Sequence, residues 1–171
     1  SFDNYSSNPL SNGADLYIRN ASGEYDRVEN LVIPDTVQSI GYEAFCCCTS
    51  LSSVTIGNGV TQIFTDAFYG SSLTTLTITD RTKLINPGAF AECEVKTVIL
   101  GSGLQRIYQG AFYGCWNLER IFYHGTKSEF EKIELGEDFP SEMDEIYYYS
   151  EETPLEEGRF WHYVDGVATT W

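Results

Sequence analysis

Three kinds of residue in this chain could do chemistry, and each has a spacing that can be compared with what that chemistry needs. Glu134, Glu137, Asp138, Glu142, Asp144 and Glu145 crowd one stretch. They could supply the general acid and base of a glycoside hydrolase or oxygen ligands for calcium. Neither spacing is recognisable, since there is no EF-hand loop and no Asp-x-Asp-x-Asp-Gly run. A solvated acidic segment is the simpler reading. His124 and His162 stand 38 residues apart without a Cys or Ser nucleophile to pair with. His124 reads as a turn residue, and His162 as a strand residue beside Trp161.

The 5 cysteines are the third kind. Cys46-Cys47-Cys48 lacks zinc-ligand spacing and has no His pair nearby. Cys48, Cys93 and Cys115 recur in step with one another, which suits small buried apolar residues with free thiols. A Cys93–Cys115 bridge stays open in an oxidising compartment. Gly57-Asn58-Gly59 and Gly101-Ser102-Gly103 lack the Lys-Ser/Thr of a phosphate-binding loop. No residue set calls for a cofactor or a metal.

A fourth set offers recognition. Asn30, Ser53, Thr75, Thr97 and Arg120 fall at equivalent positions along the chain, as do Val32, Thr55, Thr77, Ile99 and Phe122. Stacked, they would form two outward columns of a flat, Thr-rich face able to bind an extended protein segment or a glycan. Thr is also an ordinary solvent-facing strand residue. Tyr69 and Tyr113 recur in the same way and could lie exposed on another side.

What positions these residues is a repeat. Ala44-Phe45, Ala67-Phe68, Ala89-Phe90 and Ala111-Phe112 recur with Phe-to-Phe steps of 23, 22 and 22 residues. A Cys usually follows the Phe by three, with Ser71 in its place in the second repeat. Each repeat opens on a period-two run, such as Leu51, Val54 and Ile56 or Leu73, Leu76 and Ile78, which is a strand. A turn follows, at Pro34-Asp35, Gly57–Gly59, Thr79–Arg81 or Gly101–Gly103. Val37-x-x-Ile40, Val60-x-x-Ile63, Thr82-x-x-Ile85 and Leu104-x-x-Ile107 then read as a second short strand. The third side, running into Ala-Phe, is expected to form one helical turn. A period in the low twenties with one main strand per repeat means a solenoid stacked coil upon coil.

Leu31-Val-Ile-Pro-Asp-Thr-Val-Gln-Ser-Ile-Gly-Tyr-Glu-Ala-Phe45, echoed at Leu51–Phe68, resembles the BspA-like leucine-rich repeats of bacterial surface proteins and some protists. Thr82 in place of Val, and Pro87-Gly88 before the third Ala-Phe, are departures from that pattern. The resemblance implies a right-handed, β-rich α/β solenoid with parallel strands, and adhesion or host interaction as function.

The expected organisation is a single domain. Residues 1–27 form an N-terminal cap, 28–123 the repeats, and 124–171 a C-terminal helix and hairpin cap. Leu16–Ile18 and Tyr25–Val28 flank a turn at Asn20–Gly23 and suit a hairpin. Lys127–Ile133 suits a helix with Thr126 as N-cap and Glu129 completing a capping box. Asp165-Gly166 marks a second hairpin. Asn4-Tyr5-Ser6 and Asn20-Ala21-Ser22 match a glycosylation acceptor pattern of low specificity.

The net charge of −15 disfavours nucleic acid or an anionic membrane as partner. Of the 25 carboxylates, 14 lie in residues 118–171, and so acidic a tail favours cationic partners. No apolar run approaches a transmembrane length. The expectation is therefore a non-enzymatic binding or adhesion module of a secreted or cell-surface bacterial protein. Its partner would be a protein or glycan, host-derived or otherwise. The alternatives are an accessory recognition domain of a larger secreted enzyme, or a carboxylate-based hydrolase using the acidic C-terminal segment, whose activity changes at Glu142 or Asp144 would abolish.

Overall fold

Alternation along each repeat decides the architecture. In Thr75–Thr77, Leu76 is 1% exposed while Thr75 is open to solvent, so the strand buries one face and wets the other. The computed structural model describes residues 15–140, 145–155 and 157–171. Its elements in chain order begin with β1 (Tyr17–Arg19), β2 (Tyr25–Arg27), β3 (Asn30–Val32), β4 (Ser39–Ile40), β5 (Ser53–Thr55) and β6 (Gln62–Ile63). There follow β7 (Thr75–Thr77), β8 (Leu84–Ile85), β9 (Thr97–Leu100), β10 (Arg106–Ile107) and β11 (Arg120–Tyr123). The chain ends with α1 (Lys127–Phe130), β12 (Glu134–Leu135), β13 (Ile146–Tyr149), β14 (Phe160–Val164) and β15 (Val167–Thr170).

These elements make a β-solenoid. The main sheet runs β3-β5-β7-β9-β11-β13-β14-β15, parallel except for the final β14–β15 pair. The second short strands build a parallel sheet β4-β6-β8-β10-β12 on another side. Each coil bonds to its neighbours in unshifted register, because a one-residue slip would turn every buried side chain outward.

The core is a ladder. The rings of Phe45, Phe68, Phe90 and Phe112 stack at 5.1, 5.3 and 5.5 Å. Phe139 meets Phe112 edge-on at 6.0 Å and ends the series. Burying each inner ring contributes about 1.5–3 kcal/mol. Thr82, the departure from the Val pattern, is fully buried, and its hydroxyl donates to the Val60 carbonyl at 3.0 Å. The polar substitution is thereby satisfied.

The helical turn expected on the third side does not form. Two residues per coil adopt left-handed φ there: Glu43 and Cys47, Asp66 and Gly70, Gly88 and Glu92, Gly110 and Gly114. That geometry interrupts an α-helix. Instead, N–H groups alternate between a carbonyl three residues back and one in the next coil. Cys46 N–H bonds Glu43 O, and Cys47 N–H bonds Tyr69 O. Among the described residues, helix is confined to the four residues of α1, so the fold is nearly all β.

Both predicted hairpins are present. β1 pairs with β2 around Asn20–Gly23, and β14 pairs with β15 around Asp165 and Gly166, both at positive φ. Thr126 caps α1 as expected: its hydroxyl accepts from Glu129 N–H, and the Glu129 carboxylate accepts from Thr126 N–H at 2.8 Å.

Candidate ligand-binding face

The main sheet brings the two outward columns together in the predicted order. Asn30, Ser53, Thr75, Thr97 and Arg120 are direct cross-strand neighbours. The Ser53 hydroxyl donates to Asn30 Oδ1 at 2.5 Å. Val32, Thr55, Thr77, Ile99 and Phe122 form the adjacent column, which Tyr147 continues. Asn30, Val32, Thr55, Thr75 and Arg120 are exposed, and Ser53, Thr77, Thr97 and Ile99 are half-buried.

Phe122 departs from the expected exposed position. It faces outward but is only 5% exposed, because Tyr147 and Trp161 cover it at ring distances of 5.2 and 5.4 Å. The open part of the face therefore spans β3 to β9 and ends at an aromatic wall.

Sequence reasoning missed that wall. Trp161 is fully buried, packed by Tyr149 at 5.2 Å, Tyr163 at 4.9 Å and His124 at 5.9 Å. Its indole N–H donates to the Tyr123 carbonyl at 2.9 Å. The signal was the shared period of two in Tyr147/Tyr149 and Trp161/Tyr163, which puts all four on the side of Phe122 once the strands pair. His162 consequently points the other way and stacks on Trp171 at 3.8 Å.

His124 connects the wall to an earlier coil. Its Nδ1 lies 3.0 Å from the Asp80 carboxylate, which also accepts from Ser102 N–H at 2.8 Å. Partial burial raises the Asp80 pKa, but the His124 and Ser102 hydrogen bonds outweigh it and leave the group below its ordinary value. Tyr163, with 42% of its surface open, is pushed up by burial and by the nearby Asp80 charge. Two coils and the end of the sheet thus meet at one aromatic and acidic corner.

The acidic segment does not assemble a comparable site among the described residues. Glu134 ion-pairs with Arg106, Glu145 accepts the Tyr147 hydroxyl at 2.5 Å, and Glu137 and Asp138 point into solvent. Glu142 and Asp144 lie outside the described residues. No group of three His, Cys, Asp or Glu able to hold a metal occurs among the described residues. The side-chain amide of Asn20 donates to Asp26 on β2, while Asn4 lies outside the described residues. Tyr69 and Tyr113 are exposed on the third side, where Trp116, 81% exposed, meets Tyr113 edge-on at 6.2 Å.

The 5 thiols are all free. The repeat-locked ones have structural partners: Cys93 Sγ donates to the Phe68 carbonyl and Cys115 Sγ to the Phe90 carbonyl, both at 3.1 Å. Burial pushes them up to about 12 and about 11 respectively, so neither is a ready nucleophile towards an external reagent.

No described helix is long and apolar enough to cross a membrane. No curated protein matches the chain. A leucine rich cell surface protein from Faecalibacterium prausnitzii A2-165, known by its crystal structure, is similar at 20% identity and a TM-score of 0.40. The match covers 70% of this chain, which spans only 41% of that one. The BspA type leucine rich repeat region matches in 6 copies across residues 17–135, more than half of the sequence. With the stacked coils described above, that places the chain in the BspA-type leucine-rich-repeat family.

Proposed function

We propose that this chain is a non-enzymatic binding module of a bacterial surface or secreted protein, and that it recognises an extended protein segment on the outward face of the main sheet. The observation that carries this reading is the open pair of in-register columns on β3 to β9, stopped at one end by the aromatic wall. Thr, Ser and Asn side chains offer donors and acceptors at one strand spacing, and half-buried Ile99 offers apolar contact beside them. The net charge of −15 favours a cationic segment.

One observation favours a glycan as second reading. Tyr163, Tyr149 and His124 present rings beside the Asp80 carboxylate, and sugar rings stack on such surfaces while carboxylates accept their hydroxyls. The chain would equally serve as the recognition part of a larger secreted enzyme.

An array of extracellular-matrix proteins and host or microbial glycans tests the reading. A protein hit should be weakened by the paired change Thr75→Arg and Thr97→Arg, with folding intact. A glycan hit lost on Tyr163→Ala would move the site to the wall. Binding unaffected by either set of changes would remove the face from consideration.

A further inference from the structure

The repeat accounts for Cys48, Cys93 and Cys115, yet not for Cys46 and Cys47. The equivalents of Cys46 are Tyr69, Ala91 and Tyr113, and those of Cys47 are Gly70, Glu92 and Gly114. The surplus pair occurs in the first coil alone, with the two Sγ atoms 3.4 Å apart. Cys47 sits at φ 55°, a left-handed position that Gly70, Glu92 and Gly114 fill elsewhere. A β-carbon costs energy there, so packing alone gives no reason for Cys.

We propose that Cys46 and Cys47 form a redox-active vicinal dithiol that closes reversibly to a disulfide by exchange with an external small-molecule disulfide. The two thiols differ in access. Cys46 is 6% exposed, whereas Cys47 is half-buried and reachable. Burial, the contact with Cys47 and the nearby charges of Glu43 and Asp66 push Cys46 up to about 12. Attack therefore begins at Cys47.

Its thiol loses a proton to solvent, and the thiolate attacks one sulfur of the external disulfide. That S–S bond breaks, and the first thiolate leaves and takes up a proton. Cys46 then loses its proton and attacks the Cys47 sulfur of the mixed disulfide, expelling the second thiolate. The protein pair gives up two electrons, and the external disulfide becomes two thiols.

Ring closure needs the sulfurs to approach to about 2.05 Å. Neighbouring Cα atoms are about 3.8 Å apart, below the usual disulfide range of about 4.4–6.8 Å. The closed ring is consequently strained and readily reduced, which is the property of a reversible modification. The adjoining carboxylates of Glu43 and Asp66 favour a cationic reagent.

The test incubates the reduced chain with cystamine, a dicationic disulfide, then counts alkylatable thiols and maps peptides by mass. The expected product is a segment containing Cys46 and Cys47 that has lost two hydrogens, with three thiols still alkylated after denaturation and full recovery on reduction. Cys46→Ser should stall as a stable cysteamine adduct on Cys47. Cys47→Gly, which suits the left-handed backbone, should fold and leave Cys46 unreactive. Phenylarsine oxide, which needs two adjacent thiols, should bind once per chain and be lost in Cys47→Gly. A persistent adduct in the unsubstituted chain, pairing of Cys47 with Cys48, or failure of both reagents would overturn the proposal.

Discussion

The indole N–H of Trp161 donates to the carbonyl oxygen of Tyr123 at 2.9 Å, reaching across β13 from a strand two places away. One side chain thereby ties the end of the main sheet to the last full coil and covers Phe122. The open face ends where this bond is made.

Replacing that residue separates its two contributions. Trp161→Ala removes a fully buried indole and should destabilise the fold by about 3–5 kcal/mol. Trp161→Phe keeps most ring contact but leaves the Tyr123 carbonyl without this donor, at about 1–3 kcal/mol. Urea unfolding of the two variants would test the order; equal losses would mean that the ring contact adds nothing beyond the hydrogen bond.

Asp80 should make stability depend on acid. Its folded pKa lies below the ordinary value, so its contribution is complete above about pH 4 and fades as pH falls through the folded pKa. Asp80→Asn keeps an oxygen for Ser102 N–H but removes the charge facing His124. The variant should be less stable than the unsubstituted chain at pH 7, and the difference should shrink towards pH 2. Thermal melts at both pH values measure it, and a constant difference would contradict the charge argument.

Two third-side glycines should respond unequally to alanine. A β-carbon at Gly88 would collide with Asp66 Oδ1, whereas at Gly110 the nearest atom is 4.0 Å away. Both positions have left-handed φ, so both substitutions should cost about 1 kcal/mol or more through the backbone. Gly88→Ala must also move the partly buried Asp66 side chain. Its extra loss should disappear in the Gly88→Ala, Asp66→Ala double variant, measured as a thermodynamic cycle.

The coils were legible because each is printed four times. Period-two runs located β5, β7 and β9, and the recurring Ala-Phe located the ladder. The third side was misread because Glu43, Cys47, Asp66 and Glu92 hold left-handed φ without being glycine. Nothing local distinguishes them from helix-compatible residues; what holds them there is bonding to the next coil, as in Cys47 N–H to Tyr69 O. The wall was misread for a related reason. The burial of Phe122 depends on Trp161, 39 residues away in a segment that does not repeat. Local patterns revealed the scaffold, whereas the shape of its outward face arose from contacts between non-equivalent segments.

The ladder offers the sharpest test of how the coils depend on one another. Phe90 is fully buried between Phe68 and Phe112, so Phe90→Ala opens a cavity with a ring on each side and should cost about 3–5 kcal/mol. Phe45 is half-buried at the end of the described series and stacks on Phe68. Phe45→Ala should cost clearly less, since less buried area is lost and the ladder stacks on this ring from one side, at Phe68. In a stack where each coil touches only its neighbours, a central cavity also weakens the coupling between the two halves. Phe90→Ala should therefore broaden the urea transition and lower amide protection on both sides of coil three. Phe45→Ala should lower protection mainly in coil one. Uniform loss of protection in both variants would instead mean that the solenoid unfolds as one unit whatever coil is damaged.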